Sequence, residues 1–166
     1  MKGVNGKAKG SRFEREMVKV FSTWTKVPWE KTLGSGAQNT KGDIYPSYDS
    51  FPFVVECKHT QTWDFYHLFN DNGPIYDWFN KITEEARSCK RQPLLICKRN
   101  HRPVVIMTSS TGYDIFKSAG TLTHNKLELI INKSCNLKYR TGMYVFLLED
   151  LLSIKRSGKV LINYRA

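Results

Sequence analysis

The segment FPFVVECKHT (51–60) most constrains the fold, because two charged residues interrupt an otherwise apolar run. Its β-branched and aromatic residues favour a half-buried β-strand. Side chains alternate along a strand, so Glu56 and Lys58 share one face while Val55 and Cys57 point to the other. Partial burial of a glutamate and a lysine is costly unless each has a partner. The partner is either a divalent metal ion beside the carboxylate or, on an edge strand, a solvent-facing ion pair between the two residues.

A second acidic residue, Asp43, begins the preceding strand segment, 43–48. A hairpin centred on Asp49 and Ser50 would place Asp43 opposite Glu56. Two carboxylates and a backbone carbonyl are ligands that Mg²⁺ accepts, and they leave positions for water and phosphate. The other interpretation of Asp43 is an ordinary turn residue after Gly42.

Glu14 is the third candidate acid, and it has two interpretations. The sequence from Ser11 to Glu14 has the S-x-x-E pattern of a capping box, which predicts a helix that starts at Ser11. Glu14 also neighbours the apolar face of that helix, so its side chain could point along the sheet toward Asp43 and Glu56. Apolar residues recur with helical spacing at Phe13, Met17, Val20, Phe21 and Trp24.

The order of the predicted elements indicates an α/β fold with a mixed central sheet in a single domain. Residues 1–10 contain three glycines and three lysines, and we expect them to form a flexible basic arm before a domain over 11–166. Helices are expected from Ser11 to about Pro28, from Pro74 through Ala86, and over 111–118 and 149–157, with a short helical or irregular segment over 63–69. Strands are expected at 29–33, 43–48, 51–60, 93–100, 103–109, 127–132 and 144–148.

The net charge of +11, from 26 Lys and Arg against 15 Asp and Glu, indicates a polyanionic partner, most commonly nucleic acid. A merely basic, soluble surface is the alternative. No apolar run is long enough for a membrane span, and no apolar stretch follows the basic N-terminus as in a secretory signal. The four cysteines form no C-x-x-C pair, and we expect them to be reduced thiols. We therefore expect an intracellular protein without a membrane partner.

Three motifs, KGSRFEREMVKVF, LGSGAQNTKGD and FVVECKHT, followed by KITEEARSCKRQPLLICKRN, together resemble the PD-(D/E)xK nuclease superfamily. The similarity looks greatest to its Holliday junction resolvases of the archaeal and phage type. It covers about residues 10–108, and 110–166 would be an elaboration of the sheet or a dimer surface. The resemblance implies a restriction-endonuclease-like fold, with a central mixed sheet flanked by helices.

The resemblance also implies roles for individual residues. Glu14, Asp43 and Glu56, helped by the Cys57 carbonyl, would bind Mg²⁺, for which Mn²⁺ could substitute. Lys58 would lie beside the scissile phosphate. Ser35, in its glycine-flanked loop, would lie near the phosphate, and an ordinary flexible loop is the alternative. From the distribution of positive charge, the basic residues expected to contact DNA are Lys9, Arg12, Arg15, Lys41, Arg99 and Arg102, where a solvated turn is the alternative for Arg99 and Arg102. Core packing or stacking on unpaired bases would explain the aromatic cluster of Trp63, Phe65, Tyr66 and Phe69.

The implied function is a Mg²⁺-dependent endonuclease that hydrolyses phosphodiester bonds at four-way DNA junctions. Paired cuts in a two-fold symmetric substrate imply a homodimer, with no small-molecule cofactor, working in phage DNA recombination or repair in the host cytoplasm. The alternatives are a nuclease of the same superfamily acting on flaps or duplex DNA, and a non-catalytic nucleic-acid-binding module. Two features depart from the superfamily pattern. Gly42 stands where many members have proline, and the glutamine often found in the next helix has no clear counterpart, although Lys81, Glu84 and Glu85 lie where it would fall.

Overall fold

The computed structural model describes residues 6–33, 41–47, 51–68, 73–120, 127–129 and 142–154. The helices are α1 (Gly6–Thr25), α2 (Pro74–Ser88), α3 (Ser110–Ala119) and α4 (Leu148–Ser153), with a 3₁₀ helix at Phe65–Leu68. The strands are β1 (Trp29–Lys31), β2 (Ile44–Pro46), β3 (Phe53–His59), β4 (Gln92–Lys98), β5 (Val105–Ser109), β6 (Leu127–Leu129) and β7 (Met143–Leu147).

The described strands form one seven-stranded mixed sheet in the order β1-β2-β3-β4-β5-β7-β6. Strands β3 and β4 run parallel, joined by α2, and the other described neighbours are antiparallel. Ile44 pairs with Val55, which is the hairpin register expected from the sequence. The predicted α/β fold, a central mixed sheet flanked by helices, is thereby confirmed.

The alternating side chains of β3 divide the interior into two cores. Val55 and Cys57 belong to the core under α1 and α3, which we call the α1-side core, whereas Val54 belongs to the core under α2, the α2-side core. The α1-side core contains Phe13, Met17, Phe21, Phe53, Phe116 and Phe146 among others. Glu56 and Lys58 alternate with Val55 and Cys57 and therefore emerge on the α2 side.

Helix α1 begins at Gly6, earlier than predicted, so the expectation of a flexible arm is wrong for residues 6–10, whereas 1–5 lie outside the described residues. The capping-box interpretation is also wrong, because Ser11 lies inside the helix. Its hydroxyl accepts hydrogen bonds from Arg15 Nη1 at 3.0 Å and Lys31 Nζ at 2.9 Å, so the side chain binds other side chains and caps no helix. Lys7, Ala8 and Lys9 are good helix formers, which accounts for the longer helix.

The C-terminal part of the chain extends the sheet, as one of the two sequence interpretations expected. Strand β7 pairs with β5, and β6 pairs with β7 at the far edge. The remainder of two predicted elements, 130–132 and 155–157, lies outside the described residues. Within the parts of the chain that the structure describes, no helix combines the length and apolar character needed to cross a membrane.

Candidate active site

The hairpin of β2 and β3 fixes Asp43 against the backbone of β3. The Asp43 N–H donates to the Val55 carbonyl at 2.7 Å, and the Asp43 Oδ2 accepts a hydrogen bond from the Cys57 N–H at 2.8 Å. The N–H and C=O of a strand residue point the same way, so the Cys57 carbonyl also faces the Asp43 side. The Cys57 thiol points into the α1-side core.

Gly42 explains one departure from the superfamily pattern. Its φ is +87°, a left-handed conformation that proline, fixed near −65°, cannot adopt. A Cβ atom at this position would lie 2.5 Å from the Val55 carbonyl oxygen. A glycine is therefore required to bring Asp43 this close to β3.

Glu56 and Lys58 form an ion pair on the α2 side of β3. Glu56 is only 5% exposed, so its carboxylate depends on such a partner. Burial disfavours the charge of Lys58, but the hydrogen bond and the charge of Glu56 outweigh this effect and raise the lysine pKa. Lys58 therefore remains an ammonium at neutral pH and can donate hydrogen bonds or stabilise negative charge.

Glu56 lies close enough to Asp43 for its charge to affect the ionisation of Asp43. Burial raises the pKa of Asp43 from 3.8 to about 6, and the charges of Glu56 and, more weakly, Glu14 act in the same direction. The Cys57 N–H and the charge of Lys58 partly oppose the rise. The two carboxylates thus concentrate negative charge at one place, which is unfavourable and which a bound cation would neutralise.

Glu14 reaches the same region from α1 but is held by another residue. Its Oε2 lies 2.6 Å from Lys31 Nζ on β1, and its side chain is 17% exposed. Lys31 pairs with Ile44, the neighbour of Asp43, and this pairing brings the lysine to the site. Lys31 was not predicted as a site residue, because its approach to Glu14 depends on how β1 packs against α1.

Helix α2 contributes a second lysine that approaches the same oxygen of Glu56. Lys81 Nζ lies 4.0 Å from Glu56 Oε1 and 3.9 Å from Glu85 Oε1, and the Lys81 side chain is 64% exposed. In the sequence, Lys81 and Glu85 lie where the resemblance leads us to expect an auxiliary glutamine. In the structure Lys81 does lie near Glu56, but it brings an ammonium group there instead of an amide.

The donor set suits a hard cation bound by few protein ligands. Among the described residues, no three His, Cys, Asp or Glu side chains are grouped closely enough to hold one metal ion. The three carboxylates predicted to bind Mg²⁺ are therefore not gathered into one group among the described residues. The charge of Glu56 acts on Asp43, whereas Glu14 is engaged by Lys31. Two carboxylates and a carbonyl, all oxygen donors, still fit Mg²⁺, which keeps several water ligands.

Most of the basic residues predicted to contact DNA lie on the surface. Exposed side chains include those of Arg12, Arg15, Lys41 and Arg102, and Lys9 is half-buried. Arg99 is 40% exposed and its Nη1 lies 3.3 Å from Asp64 Oδ2. Ser35 and its loop lie outside the described residues.

Comparison with known proteins identifies the family. A family model described as "Phage putative PDDEXK endonuclease" matches residues 5–159. Among solved structures, the chain matches Hjc of Archaeoglobus fulgidus, a Holliday junction resolvase from an archaeal hyperthermophile. The identity is 11% and the TM-score 0.41, over 92% of this chain and 99% of that chain. No curated protein sequence matches the chain. Since the family match spans nearly the whole chain, this protein belongs to the phage PD-(D/E)xK endonuclease family.

Proposed function

We propose that this endonuclease is a divalent-metal-dependent enzyme that cuts branched DNA, with the four-way junction as its substrate. The observation that carries the proposal lies at the β2–β3 hairpin: Glu56 pairs with Lys58, and the charges of both act on Asp43. A buried and a half-buried carboxylate beside an ammonium are poorly suited to binding nucleic acid alone, because the acids would repel a phosphate. They are well suited to holding a cation against one.

In this proposal Asp43, Glu56 and the Cys57 carbonyl hold Mg²⁺, and Mn²⁺ could replace it. The metal would supply an activated water and neutralise charge on the phosphate. The Cys57 N–H fixes Asp43 Oδ2, so the carboxylate is oriented before any ligand arrives. Glu14 as a further ligand stays a prediction, and it requires that carboxylate to leave Lys31.

Lys58 has a role that follows from its charge. Since its pKa is raised, it cannot act as a general base at neutral pH and instead donates to oxygens that gain negative charge as the phosphodiester is cleaved. In the structure this ammonium binds Glu56. A cation at Glu56 would compete for the same oxygen and leave Lys58 available to the scissile phosphate.

The preference for branched DNA is supported by the motifs shared with junction resolvases and by the net charge of +11. Basic residues spread along the chain favour contacts with several phosphates, which read the shape of the DNA more than its sequence. Two symmetric cuts require two active sites, so we propose a homodimer. Its place of action would be the inside of the infected cell, in recombination or repair of phage DNA.

The test is cleavage of a labelled synthetic four-way junction in Mg²⁺, Mn²⁺ or EDTA, with nicked, flap and plain duplexes of the same sequence alongside. We expect metal-dependent cutting of the junction and a loss of at least about 100-fold for Glu56→Gln and Lys58→Met. Lys117→Ala is the matched control, because this exposed lysine lies on α3, on the other side of the sheet.

Each alternative predicts a different result. Preferential cutting of flaps or duplex ends would replace the junction by another substrate while leaving the metal site intact. Binding without cutting in any divalent ion would identify a non-catalytic module. Undiminished cutting by Glu56→Gln would refute the assignment of the site itself.

A further inference from the structure

A cavity of about 410 Å³ lies beside the proposed active site, where the segment after β3 meets the turn between β4 and β5. Its lining combines aromatic, basic and apolar residues. Trp63, only 3% exposed, belongs to the α2-side core beneath it, whereas Tyr66 is 68% exposed. The main lining residues are Trp63, Asp64, Tyr66, Arg99, Arg102 and Pro103.

The walls of the cavity are held in place by Asp64. One of its carboxylate oxygens, Oδ1, accepts a hydrogen bond from the Tyr66 N–H at 2.9 Å. The other, Oδ2, lies 3.3 Å from Arg99 Nη1. The Asp64 N–H donates to His67 Nδ1 at 3.1 Å. One carboxylate therefore ties the 3₁₀ helix to the β4–β5 turn, and this preorganisation reduces the entropy lost when a ligand binds.

The opposite wall is a tight turn that presents a second guanidinium. His101 has a φ of 56°, and the Arg102 N–H donates to the Arg99 carbonyl at 3.1 Å. The Arg102 side chain is exposed. Since Arg99 is paired with Asp64, the Arg102 guanidinium is the group of this turn that is suited to an anion such as a phosphate.

The cavity and the proposed active site lie on the same side of the sheet. Lys58 emerges on the α2 side of β3, and Trp63 follows a few residues later in the α2-side core. The Thr60 N–H donates to the Lys98 carbonyl at 3.2 Å, which keeps this segment beside the end of β4. Cys97 pairs with both Lys58 and Val105, and Val105 lines the cavity, so about 10 Å, two strand spacings, separates Lys58 from the cavity wall. A DNA strand that contacts Lys58 would therefore reach the cavity within a few nucleotides.

We propose that this cavity binds an unpaired nucleotide of the DNA strand next to the branch point, with its base stacked on Tyr66 and its phosphate at Arg102. The inference rests on the proposed function, because base pairs at a branch point open more easily than those inside a duplex arm and can then supply an unpaired base beside the cut. An aromatic ring exposed between apolar walls is what a base stacks on, and stacking tolerates every base. The neighbouring guanidiniums favour a nucleotide over a neutral apolar ligand.

Anisotropy titrations without divalent cation, so that no strand is cut, test this proposal on two junctions. One carries a single unpaired nucleotide at the branch point, and the other carries an abasic residue there. We expect Tyr66→Ala to weaken binding of the first junction by about 5- to 100-fold and to leave the abasic junction unchanged. Tyr66→Phe should bind like the wild type. Arg102→Ala should weaken binding of both junctions, and Lys117→Ala of neither.

The two DNAs separate base stacking from general effects of the substitution. Equal weakening of both junctions by Tyr66→Ala, or no weakening of either, would overturn the base-binding role while leaving the proposed nuclease function standing. An unchanged affinity of Arg102→Ala would overturn the phosphate contact. Absence of wild-type binding to both DNAs would overturn the proposed function and this inference with it. Thermal melts show whether each variant folds, and the exposure of Tyr66 favours intact folding.

Discussion

Replacing Asp43 by asparagine should stabilise the metal-free protein at neutral and alkaline pH. The asparagine Oδ1 can still accept the Cys57 N–H, so the substitution removes charge and keeps the hydrogen bond. In the wild type, burial and the charge of Glu56 raise the Asp43 pKa from 3.8 to about 6. A rise of about two units corresponds to roughly 3 kcal/mol of destabilisation once the carboxyl is ionised in both states.

The direction of the Asp43 pKa shift determines how the effect of the substitution depends on pH. Below about pH 4 the carboxyl is protonated in the folded and unfolded protein, so it costs no stability. Between about pH 4 and 6 the folded protein binds more protons, and wild-type stability falls as the pH rises. Above about pH 6 the full cost persists. Asp43→Asn should therefore match the wild type near pH 4 and exceed it by about 2–3 kcal/mol at pH 8.

Thermal and urea unfolding in EDTA at pH 4, 6 and 8 would measure this difference. For a chain of this size the gain at pH 8 corresponds to an increase in Tm of about 5–12 °C. Adding Mg²⁺ should raise the wild-type Tm and leave that of Asp43→Asn nearly unchanged, because the variant lacks one of the two proposed carboxylate ligands. A variant that is less stable than the wild type at pH 8 would refute the reasoning, since ionised Asp43 would then be favourable in the folded state.

Three further predictions follow from individual contacts. Gly42→Ala should lower the free energy of unfolding by about 2 kcal/mol or more, measured by urea denaturation, because alanine is strained at a φ of +87° and its Cβ meets a β3 carbonyl; an unchanged midpoint would contradict the tight approach. Lys81→Ala should slow junction cleavage by about tenfold, less than Lys58→Met, and reduce the salt dependence of binding, because the Lys81 ammonium is 4.0 Å from Glu56 yet largely exposed; a loss as large as that of Lys58→Met would give the two lysines equal weight. In native alkylation followed by mass spectrometry, Cys89 should react while Cys57 and Cys97 stay unlabelled, because both are buried and burial raises the pKa of their thiols; labelling of either before unfolding would show that the cores open.

The sequence was most informative where local pattern and pairing act together. The alternation along β3 and the turn before it were enough to predict that Asp43 and Glu56 lie close together, and the pairing of Ile44 with Val55 confirms that register. The predicted start of α1 was wrong. Serine is a residue type that commonly caps helices, but the Ser11 hydroxyl instead accepts a hydrogen bond from Lys31 on β1.

Long-range neighbours account for the rest of the difference. Lys31 and Lys81 come from β1 and α2, and their approach to the acids depends on how those elements pack. The engagement of Glu14 by Lys31 follows from the same packing. The spacing of residues along the chain carries no information about such contacts. The sequence could therefore predict which acidic residues belong to the site, but not which lysines pair with them.

The division of β3 between two cores also protects the chain against misfolding. A slip of one residue in its pairing would turn Glu56 and Lys58 into the aromatic core beneath α1 and bring Val55 and Cys57 out beside Lys81. Such a structure would bury two charges among phenylalanines and would lose most of its apolar packing on that side. Glu56 and Lys58, which are proposed to act in cleavage, thus also disfavour the misaligned pairing. Substitutions that neutralise both residues should therefore permit misaligned, aggregation-prone states that the natural sequence excludes.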